Sequence, residues 1–293
     1  MAGAKRFSVL VASDESSAAR AAVRTALRCP WPVDVHVHGV VASDIGGDTR
    51  RSIVLSALDG TAEAAARATA RALHRRWPNA SVTVVNGPAV DAIVSEARRL
   101  RSRVIVLGWR GHGPIKRMVV GSVSRGVLRR APCAVLVVRL APRQVKQVVI
   151  GVDNSAHARH AVRLVAQMTP PVGGRAIVVT AVDMMRVPTQ IHLDAATRAR
   201  VSAEVGTINR RRLLNAQALV GRAAEVLKGT GWTVATDVTR GAPVWDLLKT
   251  VEKFGADLLV VGARGATGLD RLLLGSTAEG VLNRSRVPVL VVP

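Results

Sequence analysis

Aromatic side chains are scarce in this chain of 293 residues: five Trp, two Phe and no Tyr make up 2% of it. The core therefore falls to Val, Leu, Ile and Ala. That favours buried parallel strands and alanine-rich helices over an aromatic-cored antiparallel sandwich. It also leaves little to stack on the bases of single-stranded nucleic acid. Cysteine is nearly absent. Cys29 and Cys133 have no metal-ligand spacing, so neither a disulfide framework nor a zinc cluster organises the chain. Cys133 opens the apolar run APCAVLVV and reads as a small buried hydrophobe. No apolar run reaches the roughly 18 residues a membrane span needs. The N-terminus, MAGAKRFSVLVAS, lacks the apolar core and cleavage pattern of a signal peptide. Its short apolar stretch reads as a first strand, and the cytoplasm is the expected compartment.

Acidic residues are also in short supply. Twenty Asp and Glu face 42 Lys and Arg, a formal charge of +22, and only six of the cations are Lys. Such an excess suits a polyanion partner. A coding bias towards Arg and Ala produces the same excess. The scatter of basic residues through Arg98–Arg103, Arg125–Arg130 and Arg198–Arg212 favours the bias, and no sequence-specific nucleic-acid partner is expected.

What is present is a repeat. Gly108-Trp109-Arg110-Gly111 returns as Gly262-Ala263-Arg264-Gly265, and Gly121-Ser122 returns as Gly275-Ser276, all at an offset of 154. Gly87 and Val90 match Gly241 and Val244, and AVLVV at 134–138 matches PVLVV at 288–292, at the same offset. Nearer the start, VLVASDES (9–16) resembles VIGVDNS (149–155), which sets Asp14 against Asp153 at an offset of 139. The difference of 15 residues is an insertion in the second copy, before Gly241. Self-similarity on this scale implies two homologous units. They are expected at 1–140 and 146–293, with the seam in the polar stretch after Pro142.

Each unit alternates β-branched runs with helical patterns. In the first, strands are expected at Phe7–Ala12, Val33–Val41, Ser81–Asn86, Arg103–Leu107 and Ala134–Arg139. Helices are expected near Ser16–Leu27, Thr61–Arg76, Val90–Leu100 and Ser122–Arg130. The second unit repeats this with strands near Val148–Val152, Arg175–Val182, Thr233–Val238, Asp257–Val261 and Pro288–Val292, and a long helix near 193–228 absorbs most of the insertion. The alternation predicts an α/β fold of two doubly wound parallel sheets, with ligands outside the carboxyl ends of the strands.

The repeated signature, Gly-x2-Gly-x9-Gly-Ser, follows a strand and opens a helix. Glycine lets backbone N–H groups approach a phosphate closely, and a helix N-terminus favours negative charge. Ser122 and Ser124 add hydroxyls. Glycine loops also serve tight turns, so the motif argues homology more strongly than binding. It is neither the Rossmann fingerprint nor a Walker A loop. Asp14 and Asp153 end the first strand of each unit. Capping of the following helix is the simpler role; contact with a ribose hydroxyl or a nucleobase amine is the functional one. His157 and His160 lie one helical turn apart and read as solvated helix residues rather than metal ligands. No nucleophile elbow of the form GxSxG is present.

These paired Asp-x-Ser turns, glycine loops and terminal V-L-V-V strands resemble tandem universal stress proteins over residues 5–140 and 146–293. The resemblance implies five-stranded sheets of order 3-2-1-4-5, an adenine nucleotide alpha-hydrolase-like fold, and membership of the branch that keeps the glycine motif and binds ATP, with or without Mg2+. In the first unit it implies Asp14 and Val40 on the adenine and ribose side, with Gly108, Gly111, Gly121, Ser122 and Ser124 around ribose and phosphates. In the second the matching residues are Asp153, Val182, Gly262, Gly265, Gly275 and Ser276. Ala278 stands where Ser124 stands, and Trp109 is bulky enough to crowd or cover its loop. The implied role is a nucleotide-dependent regulator of stress response or growth arrest without dedicated catalytic residues, any ATP hydrolysis being slow. The terminal strands are expected to pair within one chain as a pseudo-dimer, and further association into homo-oligomers is implied. The alternatives are a polyanion-binding or structural protein with empty loops, and a hydrolase of the same fold, for which neither an SGGxDS nor a HIGH-type motif is found.

Overall fold

The structure is a computed structural model that describes residues 6–43, 53–110, 120–187, 194–265 and 274–293. The first half runs β1 (Ser8–Ala12), α1 (Ser17–Arg28), β2 (His36–Ser43), α2 (Ile53–His74), β3 (Ser81–Asn86), α3 (Ala89–Arg99), β4 (Val104–Gly108), α4 (Ser122–Arg130) and β5 (Ala134–Val138). The second runs β6 (Gln147–Gly151), α5 (Ala156–Ala166), β7 (Arg175–Val182), α6 (Ala195–Leu227), β8 (Thr233–Arg240), α7 (Pro243–Lys253), β9 (Leu258–Gly262), α8 (Ser276–Arg284) and β10 (Val289–Val292).

The strands form one sheet in the order β3-β2-β1-β4-β5-β10-β9-β6-β7-β8. Each half thus follows 3-2-1-4-5, parallel throughout, and β5 and β10 join the halves as an antiparallel pair. The terminal strands that would otherwise be apolar edges are covered by each other. Valine and leucine on both faces make the central strands double-sided. β1 and β5 are buried at every residue, whereas β3, at the rim, is at most half-buried.

Alternate residues feed two cores, one on each face of the sheet. Val9, Val106, Leu136, Ile150, Val260 and Leu290 pack under α1 and α5. Leu10, Ile105, Val135, Val149, Leu259 and Val291 pack on the other face with α3, α4, α7 and α8. Both cores run unbroken across the seam. Alanines allow close helix–sheet approach: Ala19, Ala22 and Ala26, spaced three and four apart, form the inner face of α1.

Some element boundaries differ from expectation. β2 begins at His36 rather than Val33, because Val35 N–H donates to Pro32 O at 3.1 Å in a turn and leaves Val33 92% exposed. α2 begins at Ile53 and runs straight through Gly60. The insertion lengthens α6 to 33 residues, against 22 for α2. Among the described residues no helix is long and apolar enough to cross a membrane.

Candidate functional site

The two halves build the same pocket at the carboxyl ends of their strands. In each, the first strand ends in a short turn before the first helix. Asp14 Oδ1 accepts from Ser16 N–H at 3.0 Å, and Asp153 Oδ1 accepts from Ser155 N–H at 3.0 Å. The helix caps themselves are serines: Ser16 Oγ accepts from Ala19 N–H at 3.1 Å and Ser155 Oγ from Ala158 N–H at 3.0 Å. The aspartates are thus not the N-caps; they brace the turn and line the pockets.

The first glycine of each motif is required by packing. A Cβ on Gly108 would stand 2.7 Å from the backbone carbon of Ala18, and one on Gly262 would stand 2.9 Å from Cβ of His157. The strand tip therefore touches the first turn of α1 or α5. His157 is half-buried against Gly262 rather than solvated. His160 is exposed, its Nδ1 2.9 Å from Pro293 O.

The third glycine closes the neck of the loop. Gly121 N–H donates to Trp109 O at 2.9 Å, and Gly275 N–H donates to Ala263 O at 2.8 Å. Both glycines have ordinary extended backbones, φ −61° and −66°. What crowds a side chain there is proximity: a Cβ on Gly121 would lie 3.2 Å from Arg110 Cα, and one on Gly275 would lie 3.2 Å from Arg264 Cα, so the neck would have to give by a few tenths of an ångström. Gly121 and Gly275 are then the caps of α4 and α8, whose free N–H groups begin at the neck.

The first pocket, about 110 Å3, is lined by Asp14, Val40, Gly108 and Ser124, together with Arg110 and Ile93. The second, about 480 Å3, is lined by Asp153, Gly262, Gly265, Gly275 and Ser276, together with Arg264. Gly121 and Ser122 stand beside the first pocket at the helix start. Gly111 lies outside the described residues. Val182 does not line the second pocket. The strand register sets Gly151 against Val179 as it sets Ala12 against Val40, so Val179 is the counterpart of Val40 and lines the cavity. The offset of 139 still holds along the second strand, because the insertion comes later.

One further expectation changes. Ser124 is buried, and its Oγ donates to Gly108 O at 2.7 Å, tying α4 to the strand tip. Ala278 lacks this tie. The loop that Trp109 was expected to crowd or cover, 111–119, lies outside the described residues, and Trp109 is not among the residues lining the first pocket. It packs on the core, with the Arg139 guanidinium 3.8 Å from the centre of its ring and that of Arg110 at 4.8 Å. Burial, and then the Arg110 charge, hold the Arg139 pKa below its ordinary value.

The sequence reading gave no role to Arg110 and Arg264. Among the described lining residues they and the aspartates are the ionisable side chains of their pockets. The signal was available, since the same Arg occupies the third position of both copies of the motif. Each pocket thus sets one carboxylate, one guanidinium and a helix N-terminus around an apolar wall, Ile93 in one and Leu247 in the other. Such a site can accept hydrogen bonds at one place and hold negative charge at another.

The sequence model of the Universal stress protein family matches residues 6–139 and again 144–293. The chain belongs to the universal stress protein family. Universal stress protein Rv2005c of Mycobacterium tuberculosis is 30% identical over 209 residues, 70% of this chain and 64% of that protein. Universal stress protein Rv2623 of the same organism is 26% identical over 99% of this chain and 97% of its own length. The match to universal stress protein MJ0531 of Methanocaldococcus jannaschii is 45% identical over 62 residues, so this chain spans 36% of that protein. A solved universal stress protein from Archaeoglobus fulgidus shares the fold over 97% of both chains, with a TM-score of 0.65 at 19% identity.

Proposed function

We propose that the chain is an ATP-binding universal stress protein, a nucleotide-dependent regulator with one adenine nucleotide site in each of two units, 1–140 and 146–293. The observation that carries this reading is the duplicated pocket. Asp14 with Arg110, and Asp153 with Arg264, line equivalent cavities beside the starts of α4 and α8. The aspartate suits ribose hydroxyls or the adenine amine; the arginine and helix amides suit the phosphates. The apolar walls give the base a surface. Any Mg2+ would arrive with the phosphates, since each pocket offers one lining carboxylate among the described residues. The same composition argues for a regulator: besides the aspartate, the described lining residues hold no side chain suited to general-base work.

Calorimetric titration with ATP tests the reading. Two sites per chain are expected, with the roomier second-half pocket filling first. Saturation at zero nucleotide would remove the proposal, and a co-purified adenine nucleotide identified by mass spectrometry would support it.

A further inference from the structure

A cavity larger than either nucleotide pocket lies elsewhere, at the amino ends of the first-half strands. This cleft, about 1020 Å3, is floored by the starts of β1, β2, β4 and β5 and walled by α5 and the end of β10. Five arginines line it: Arg6, Arg98, Arg101, Arg103 and Arg163. His36, His38 and His160 add imidazoles, and no Asp or Glu is among the described lining residues. Arg103 Nη2 donates to Gln167 Oε1 at 3.2 Å. Among the described residues the other four arginines make no ion pair, while Glu96 on the adjoining α3 is held by Arg99.

The repeat provides an internal control. At the positions of Arg98, Arg101 and Arg103 the second half carries Glu252, Gly255 and Asp257. Arg98 and Arg103 thus give way to carboxylates in the second half, and Arg101 to glycine. Asp257 Oδ2 accepts from Lys146 N–H at 2.9 Å and from Gln147 N–H at 2.8 Å. The second half thus supplies its own carboxylate to the start of its first strand. The corresponding residues of the first half are Phe7 and Ser8, and Arg103 stands in place of the carboxylate. Arg101 is also held in the left-handed region at φ 50°, where Gly255 sits at φ 56°. A long cationic side chain is kept where glycine is the unstrained choice. Finally, the hydroxyls of Ser8 and Ser102, both in the cleft lining, are buried without a hydrogen-bond partner.

We propose that this cleft binds a linear oligophosphate. Guanidinium groups match phosphate oxygens in bidentate pairs, and several of them around one cavity match a chain of phosphates. No Phe or Trp lines the cleft, which favours a phosphate chain over a base-stacked single strand as its occupant. The first-half nucleotide pocket opens at the opposite ends of these strands; the second-half pocket opens on the same side of the sheet as the cleft, across the antiparallel β5–β10 seam, and neither pocket shares a lining residue with the cleft.

The test titrates the full-length chain with inorganic tripolyphosphate at physiological salt. Arg101→Gly combined with Arg103→Asp installs the second half's own residues. It should weaken tripolyphosphate binding by about tenfold or more and leave the ATP titration unchanged. Arg101→Gly alone relieves backbone strain, so it should remain folded by circular dichroism and weaken binding by itself. Gly121→Ala with Gly275→Ala should leave the arginine-dependent binding of tripolyphosphate in place. No binding by the parent at millimolar tripolyphosphate would overturn the proposal. So would a folded double arginine variant that binds within about twofold of the parent. A parent that prefers single-stranded DNA of equal charge would overturn it too.

Discussion

Leu136 of β5 and Leu290 of β10 stand opposite each other in the antiparallel pair that joins the two halves, and neither side chain is exposed at all. Each belongs to the core that runs across the seam. Leu290→Ala should therefore cost about 2–5 kcal/mol, because a cavity opens between packed elements. Urea unfolding measures it. Removing residues 288–293 is the stronger change, since it uncovers the whole β5 edge. Poor solubility is expected. A well-folded, soluble truncation would show that the pairing is dispensable.

The loop necks give a prediction for each half. The backbones of Gly121 and Gly275 suit alanine, so neither substitution strains φ. The added methyl must instead push against Arg110 or Arg264 at 3.2 Å and open the neck by a few tenths of an ångström. Gly121→Ala should remove nucleotide from the first half alone, Gly275→Ala from the second alone, and the pair from both. Titration stoichiometry reads this out, with circular dichroism as the check on folding. ATP binding by the folded double variant at the parent's affinity would refute the site assignment.

Ser124 and Ala278 offer a swap. Ser124→Ala leaves the Gly108 carbonyl without its buried donor and should cost about 1–2 kcal/mol, measured by thermal or urea unfolding. Ala278→Ser places a hydroxyl where Gly262 O is the equivalent acceptor, and should be neutral or stabilising. If Ser124→Ala left stability unchanged while weakening ATP binding, the hydroxyl would be serving the ligand rather than the loop.

Burial pushes the Cys29 thiol up to about 12, with Arg76 offsetting part of the rise. An unfolded thiol releases its proton near pH 9. Between these values the unfolded state binds fewer protons than the native one, so stability falls as pH rises above about 9. Cys29→Ala should flatten the alkaline slope of the urea midpoint by as much as about 1.4 kcal/mol per pH unit. Cys133, also pushed up to about 12 by burial, keeps a slope of its own. At neutral pH the fully buried Cys29 thiol should alkylate only as fast as the protein unfolds, whereas Cys133, partly exposed in the cleft lining, is held back by its raised pKa alone.

The sequence by itself determined the duplication, the alternation of strand and helix, and the ends of the strands at which Asp14 and Asp153 gather with the glycine loops. These are matters of period and local chemistry. Valine runs bounded by glycine and serine specify strand tips and helix starts without reference to anything distant. Even the overlooked arginines, Arg110 and Arg264, lay in plain view in the repeat. Only the tertiary structure decided what depends on register and on approach between remote segments. It placed Val179, not Val182, opposite the first strand of the second half. It gave the Ser124 hydroxyl to Gly108 O and turned Trp109 into the core beside Arg139. It also gathered Arg6, Arg98, Arg101, Arg103 and Arg163, scattered over more than 150 residues of chain, into one cleft. Charge spread along a sequence has no direction until a sheet brings the starts of its strands to one side, and the joining of β5 to β10 then sets the second half against them.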